Sequence, residues 1–318
     1  EWVTFRNRGG PAVQDAFFSP DIETPYTDEI QIQYKQDLGQ NMMFEINLID
    51  RETSDVAEDW AAVYYDASQY SQFGDLSDPG SYFLGPQYFG FSSLDAIPTN
   101  LNFLIGNLPP EAFRDWQGVE LVFRKRYADN WQALASYNYA DAEGNTNSDG
   151  NFDGAGDVFF LDPRAPGRTG VMPGLVEHLF KLHGSYNWDN GFQVGGAYRW
   201  NSGVILNRNQ GTAFGRSLPD QVDTAFEANG LSERYIQSDA IGFIDGSDYG
   251  VLDLRVSYLW GINDRLEADF FLDIFNVLDD QQVIKVEDRL SGGGGFEFLE
   301  GTDFVEPRRY FLGARLRF

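Results

Sequence analysis

A short acidic stretch of the chain has the spacing of a calcium-binding loop. Oxygen-bearing side chains fall at relative positions 1, 3, 5 and 9, with a glycine at position 6: Asp149, Asn151, Asp153, Gly154 and Asp157. Alternating oxygens around a glycine turn can converge on one hard cation. Position 12 holds Phe160 instead of the usual glutamate, so Asp141, Glu143 or Asp162 would have to complete the ligand set. Two interpretations stay open, a Ca²⁺ site and a solvated acidic loop. Ca²⁺ is the only cofactor that the sequence suggests.

A second candidate for chemistry is the pair His183 and Ser185. A serine nucleophile needs a base within hydrogen-bond reach, and side chains two residues apart in a strand share a face. Side chains in a strand alternate between its two faces, which places both residues on the polar face with Lys181 and Asn187. That face lies away from a lipid substrate, so an enzyme is not expected. The chain has two histidines and no cysteine, which argues against a zinc centre.

Composition excludes several classes of protein. The 318 residues include 23 Lys and Arg against 49 Asp and Glu, a net charge of −26, which argues against a nucleic-acid partner. Aromatic residues make up 16% of the chain, too many for an acidic disordered chain. The absence of cysteine excludes a disulfide scaffold. We expect no transmembrane helix and no signal peptide, because no apolar run is long enough and no basic segment precedes one at Glu1.

Apolar and polar residues alternate with a period of two. In 251–260, Leu252, Leu254 and Val256 face one way, and Asp253 and Arg255 face the other. A helix would mix these two sets, whereas a strand separates them. The same pattern predicts nine strands, with residues 1–7 as the end of a tenth. The nine are 28–38, 41–52, 117–127, 131–141, 178–188, 192–202, 251–260, 265–275 and 310–318.

The predicted connections alternate between short and long. Tight turns rich in Gly, Asn and Asp are predicted at 39–40, 128–130, 189–191 and 261–264. The long segments are 53–116, 142–177, 203–248 and 279–305. Short turns at one end of the strands and long loops at the other are typical of outer-membrane barrels.

Three features favour lipid over a packed protein interior as the neighbour of the apolar face. The strands are about ten to twelve residues long, enough to cross hydrocarbon when tilted. The polar face is charged on successive strands, and the apolar face shows no buried polar residue. Aromatic residues flank the short turns, as an interfacial girdle would: Tyr127, Trp131, Trp188, Phe192 and Trp260. We therefore predict an all-β fold, a transmembrane antiparallel β-barrel; a large soluble β-protein is the alternative.

The polar face of the last three strands carries a set of alternating charges. They are Asp253, Arg255, Glu267, Asp269, Asp273, Arg309, Arg315 and Arg317. Two interpretations stay open for these lumen-facing charges. They form a structural ladder of ion pairs, or they line a wall that grips a plug or guides a polar solute.

The first long loop is rich in aromatic side chains. Tyr64, Tyr65, Tyr82, Phe83, Tyr88 and Phe89 stand there with few lysines. Such an external loop can form a surface that captures a solute by stacking and apolar contact, and packing within the loop is an equal alternative.

Three motifs resemble TonB-dependent outer-membrane receptors. The ending 307–318 is similar to their terminal strand, with an aromatic-Leu-Gly pattern and a final Phe; Tyr310, Leu312 and Phe318 correspond to the signal read by the barrel-assembly machinery. Residues 273–279 are similar to their penultimate-strand motif, Phe-Asn-hydrophobic-Leu-Asp. Residues 19–29 and 118–139 resemble the Oar-like branch, whose members carry an N-terminal carboxypeptidase-regulatory-like domain.

The resemblance implies the C-terminal part of an outer-membrane barrel over residues 1–318. The chain would supply nine or ten strands of a larger barrel, about 22-stranded in receptors of this kind. Nine strands that start and end downward cannot close, so either the chain is the C-terminal part of a larger barrel or residues 1–8 supply the only missing strand. The plug, the TonB box and the N-terminal domains are not visible in these residues. The implied function is TonB-driven uptake or export of an unidentified solute across a Gram-negative outer membrane. The implied partners are membrane lipid, lipopolysaccharide, the TonB complex and the assembly machinery. A plug-free porin-like or structural barrel is the main alternative, and a hydrolase using His183 and Ser185 is a weaker one.

Overall fold

A computed structural model describes residues 14–61, 92, 96, 101–146, 169–172, 174–206, 242, 244–263, 265–287 and 295–318. Its strands, in chain order, are β1 Gln14–Phe18, β2 Tyr26–Gly39, β3 Met42–Ser54, β4 Ala57–Ala61, β5 Leu101–Asn107, β6 Arg114–Ala128, β7 Trp131–Gly144, β8 Gly170–Val171, β9 His178–Asn187, β10 Phe192–Asn201, β11 Ile205–Leu206, β12 Ile244–Asp245, β13 Tyr249–Asn263, β14 Leu266–Phe275, β15 Val283–Val286, β16 Gly301–Phe304 and β17 Arg309–Arg317. No helix among these residues is long and apolar enough to cross a membrane.

Nine long strands form one antiparallel sheet in the order β2-β3-β6-β7-β9-β10-β13-β14-β17, with β8 beside β7. Each of the nine predicted segments is one of these strands, and the all-β antiparallel fold is confirmed. Each long strand pairs with the next long strand along the chain. Every short turn and every long connection therefore joins two strands that are neighbours in the sheet.

The register sorts the side chains onto two faces, as the alternation predicts. One row across β13, β14 and β17 is Val256, Leu272 and Leu312, and the row beside it is Arg255, Asp273 and Phe311. The apolar side chains are exposed: Leu312 by 79% and Val256 by 41%. Other exposed side chains on this apolar face are Ile30, Ile32, Tyr34, Leu48, Tyr139, Leu182, Tyr186, Trp188, Phe192, Tyr258, Trp260, Phe270, Tyr310 and Leu316.

The short turns follow from residues that tolerate the left-handed backbone. Asp129 has φ 53° and Asn130 has φ 69° between β6 and β7, the conformation that matches the twist of a tight hairpin. Adjacent hairpins are tied together here. The amide of Asn187 donates to the Asn130 carbonyl at 2.8 Å, and the amide of Leu259 donates to Gly191 at 2.9 Å. The turn end of the sheet is therefore one hydrogen-bonded rim.

The long connections contain short strands that the alternation does not predict. β4 and β5 lie within 53–116, β8 lies within 142–177, β11 and β12 lie within 203–248, and β15 and β16 lie within 279–305. β5 also pairs in parallel with β1. Strands of two to seven residues are too short to show a period, and their pairing depends on segments far away in sequence.

The expectation of an apolar face without buried polar groups is wrong at Lys125. This residue lies opposite Ala133 on the apolar face and is only 3% exposed. Its ammonium bends back to donate to the carbonyls of Arg126 and Ala128, both at 3.1 Å, and sits 5.0 Å from the Trp131 ring centroid. A long stem lets the charge reach polar atoms at the rim while its carbons stay among apolar groups.

Candidate functional site

The eight predicted charges of the last three strands share one face of the sheet. In the register, Arg255 faces Asp273, Asp269 faces Arg315 and Glu267 faces Arg317. Asp253 and Arg309 fall on the same face by alternation. Four carboxylates and four guanidinium groups thus balance one another across β13, β14 and β17. That this face lines a lumen stays a prediction.

The shortest ion pair among these charges joins Arg255 and Asp273 through two contacts. Nε donates to Oδ1 at 2.5 Å and Nη2 donates to Oδ2 at 2.6 Å. The paired guanidinium lies over Phe271, 4.7 Å from the ring centroid. Bidentate geometry and aromatic stacking are the uses to which arginine is suited, so Arg255 holds a fixed position on the face.

The Phe271 ring lies beside Gly313, which stands opposite it in β17 and has no side chain to block the ring. A Cβ atom on Gly313 would overlap the Phe271 ring. Phe311 packs against the same ring, with 6.0 Å between centroids. The glycine of the aromatic-Leu-Gly ending therefore has a packing role: it makes room for the ring that supports Arg255.

The remaining charges of this sector pair more loosely. Arg309 lies 2.8 Å from Glu306, and Arg317 lies 4.0 Å from Glu267. Arg315 faces Asp269 in the register, but these two form no ion pair. Exposed pairs of this kind contribute little to stability. The Arg255–Asp273 pair fits the ion-pair ladder, whereas Asp269 and Arg315 form no ion pair within the described part of the chain and are the charges that a solute or a protein segment could reach.

The penultimate-strand motif forms a hydrogen-bonded junction at the long-loop end of the sheet. Asn276 follows β14, is 3% exposed and has φ 49°. Its Nδ2 donates to the carbonyls of Asp280 at 2.9 Å and Glu306 at 2.7 Å, and its backbone amide donates to Asp253 Oδ1 at 2.8 Å. One residue, through its side chain and its backbone amide, thus ties together β13, β14 and the segment that leads into β17.

Asp279 extends this junction toward β17. Its Oδ1 accepts hydrogen bonds from the Arg308 amide at 2.9 Å and from Gln281 Nε2 at 3.3 Å. The Arg308 guanidinium stands 3.8 Å from Oδ2. The hydrogen bond from the Arg308 amide is the main cause that lowers the pKa of the Asp279 carboxyl below its ordinary value, followed by the one from Gln281. The carboxylate is therefore ionised at neutral pH and positions the start of β17.

A polar network that the sequence did not reveal lies on the same face of β2, β3 and β6. Asn47 is 4% exposed, and its Nδ2 donates to Glu45 at 3.1 Å and Glu120 at 2.8 Å. Gln33 donates to both Glu45 and Asn47 at 2.7 Å, and Lys35 pairs with Glu45 at 3.4 Å. The charged face therefore continues across the sheet, and in β2 and β3 Lys35 pairs with Glu45 and Arg51 pairs with Glu29.

The histidine–serine pair is not assembled for catalysis. His183 lies opposite Leu134 and Ala197, and Ser185 lies opposite Gln132 and Gly195. Gln132 Nε2 donates to Ser185 Oγ at 3.1 Å, and His183 forms no hydrogen bond with Ser185. The structure therefore brings no base to this hydroxyl.

Two predicted sites fall outside the described residues. They are the calcium loop with Asp149, Asn151, Asp153 and Asp157, and the aromatic loop with Tyr64, Tyr65, Tyr82, Phe83, Tyr88 and Phe89. Both stay predictions. Among the residues that are described, no group of three or more His, Asp or Glu side chains could hold a metal ion. Tyr310 and Leu312 lie exposed on the apolar face, and Phe318 is fully exposed; their role in assembly also stays a prediction.

Comparison with known proteins identifies similar structures but no similar sequences. No protein-family model matches the chain, and no curated protein matches it. The outer-membrane transporter YddB of Escherichia coli is similar in structure, with a TM-score of 0.51 and 13% identity over 96% of this chain and 34% of YddB. The complex of FpvAI with pyocin S2 gives 0.51 and 14% identity over 93% of this chain and 28% of that one. Pseudomonas aeruginosa FpvA bound to an iron–pyoverdine complex gives 0.50 and 15% identity over 93% and 27%.

The chain spans about a quarter to a third of the length of these proteins. At such low identity the likeness concerns the fold, and it agrees with the antiparallel order and the two-faced strands described above. The chain therefore has the fold of part of the barrel wall found in these outer-membrane proteins.

Proposed function

We propose that residues 1–318 form the C-terminal part of the barrel of a TonB-dependent receptor, a transporter in the outer membrane of a Gram-negative bacterium. The observation that supports it most directly is the contrast between the two faces of one sheet. Large apolar side chains are exposed along one face of nine successive strands, and most of the charged side chains of these strands lie on the other. Soluble monomers rarely expose such an apolar surface, whereas a barrel wall presents it to lipid.

The two edge strands of the sheet, β2 and β17, are an argument for a larger barrel. In the described part of the chain, β2 and β17 each pair with one long strand, β3 and β14. Hydrocarbon does not tolerate unpaired backbone groups, so spanning sheets close on themselves. In this proposal further strands complete the wall to about 22. A plug and a TonB box belong to parts of the protein outside these residues.

The barrel wall itself does no bond chemistry in this proposal. It supplies a lipid-stable scaffold, a charged inner surface and external loops for capture, and the TonB complex supplies the energy for uptake or export. Lipid, lipopolysaccharide and the assembly machinery are the other partners. The solute is unidentified, and the Oar-like branch is supported by the motifs at 19–29 and 118–139.

An arginine scan of β2 tests the lipid contact. Ile32 and Gln31 are adjacent, both are exposed in the structure, and they point to opposite faces. We expect Ile32→Arg to cost about 2–4 kcal/mol, the cost of a cation near the bilayer midplane, and Gln31→Arg to cost little. The measurement is the fraction of full-length protein that reaches the outer membrane in heat-modifiable form. Equal effects of the two substitutions would contradict the proposal, because a soluble protein exposes both sites to water.

Conductance in a planar bilayer tests the plugged-receptor proposal. The full-length protein is expected to show almost no steady ion current, because a plug fills the barrel until the TonB complex acts. A large, steady current from the same preparation would favour the plug-free porin. A denaturant pulse that opens the barrel reversibly provides the positive control, since it shows that protein is present in the bilayer.

A further inference from the structure

One sector of the charged face carries more cations than carboxylates. On this face β6, β7, β9 and β10 present Arg124, Arg126, Lys181 and Arg199 against one carboxylate, Glu120. The whole chain has 23 basic and 49 acidic residues, so this excess runs against the overall composition. In the neighbouring sector, β13, β14 and β17, four carboxylates balance four guanidinium groups. The basic sector is thus a local feature of the wall.

The two cations in the middle of this sector form no ion pair within the described part of the chain. Lys181 and Arg199 stand directly opposite each other in β9 and β10. Arg199 lies 6.0 Å from the Tyr249 ring centroid. Like charges placed directly opposite each other destabilise a sheet. An arrangement that costs stability is best accounted for by an anion that occupies the space between the cations.

The space beside these cations is open. Two of their neighbours on the face, Ala197 and Ser136, have small side chains. A cavity of about 470 Å³ is lined in part by Arg124, Arg126 and His183, one row from Lys181 toward the short turns. This volume lies in the range of small-molecule sites. Small side chains leave the guanidinium and ammonium groups accessible to a solute.

We propose that the inner wall from β6 to β10 binds a small polyanion with carboxylate or phosphate groups, and that Lys181, Arg199 and Arg124 contact it. The inference rests on the proposed function, since it takes this face as the lumen, and it assigns the solute a chemical class. Guanidinium and ammonium groups bind such anions through charge-assisted hydrogen bonds. The unpaired cations also raise the local concentration of anions along the wall.

Thiol labelling of the full-length protein in outer membranes measures the potential at this wall. This chain contains no cysteine, and unsubstituted protein controls for cysteines elsewhere. Ala197→Cys places a thiol between His183 and Asp253 in the register. Ser257→Cys places one on the same face in the balanced sector. We expect the ratio of modification rates, anionic over cationic methanethiosulfonate reagent, to be about tenfold higher at residue 197.

Two further measurements identify the source of the effect. The double substitution Lys181→Gln with Arg199→Gln should bring the ratio at residue 197 down to the value at residue 257, and it removes repulsion, so folding is retained. Inorganic pyrophosphate or citrate should slow modification at residue 197 several-fold and leave residue 257 unchanged. Equal ratios at the two sites, or no protection by either anion, would overturn the inference. So would a residue 197 that reacts with neither reagent, because a protein segment would then occupy the wall.

Tyr198→Cys separates failure of this inference from failure of the proposed function. Tyr198 neighbours Ala197 and points to the apolar face, opposite Leu182 and Leu252. If the face contacts lipid, this thiol resists both water-soluble reagents. Reaction at residue 198 would contradict the membrane assignment itself. Protection at residue 198 together with equal ratios at residues 197 and 257 would contradict the polyanion site alone.

Discussion

Gly313→Val is expected to lower the free energy of unfolding by about 3 kcal/mol, at the upper end of the range for overpacking. Gly313 lies opposite Phe271, and any Cβ atom there would overlap the Phe271 ring. The ring cannot move away freely, because the Arg255 guanidinium rests on it at 4.7 Å and that guanidinium is bound to Asp273 through two nitrogens. The substitution therefore disturbs an aromatic contact and an ion pair together. Urea titration of the full-length protein in lipid vesicles measures the change.

Two matched variants show whether the packing explanation is right. Gly261→Val adds the same side chain where nothing lies within 4 Å of a Cβ atom, so its effect should be small. Phe271→Ala removes the obstacle, so Gly313→Val in that background should cost much less than in the wild type, a coupling that a double-mutant cycle detects. An equal cost of Gly313→Val with and without the Phe271 ring would show that the glycine is needed for another reason.

The long strands could be predicted from the sequence because they are long and have an apolar and a polar face. The alternation of Leu252, Leu254 and Val256 with Asp253 and Arg255 fixes both the strand and the face. The short strands β11 and β12 have two residues each, and no period can appear over that length. Their pairing is set by tertiary contacts, which a local pattern does not encode.

Part of the proposed anion site could also have been found in the sequence. The short turn at 189–191 sets the register of β9 and β10, and with Asn190 at its centre Lys181 must face Arg199. Pairing the residues of this hairpin position by position would have shown that two cations lie opposite each other. Other contacts could not be found this way. The hydrogen bond from Asn276 to Glu306 spans 30 residues and a long connection, and nothing local indicates it.

Asn276→Ala is expected to lower the free energy of unfolding by about 2–4 kcal/mol. The side chain donates to the carbonyls of Asp280 and Glu306 and accepts from the Asp280 amide at 3.3 Å. The side chain is 3% exposed, so its removal leaves three part-buried hydrogen bonds unmade, and a buried group that loses its partner costs about 1–3 kcal/mol. Alanine also tolerates the left-handed backbone at φ 49° less well than asparagine does. The measurement is again urea titration of the full-length protein in vesicles.

Two substitutions at the same position separate the hydrogen bonds of Asn276 from its backbone conformation. Asn276→Gly accepts φ 49° without strain but lacks the side chain, so it should recover only the smaller, conformational part of the loss. Asn276→Asp keeps the acceptor for the Asp280 amide and loses both donors, and it places a carboxylate against the carbonyls of Asp280 and Glu306. We expect Asp to destabilise the junction at least as much as Ala, because a buried charge that faces carbonyl oxygens is unpaired. If Gly restored wild-type stability, the backbone alone would explain the motif, and the proposed junction between β13, β14 and β17 would be wrong.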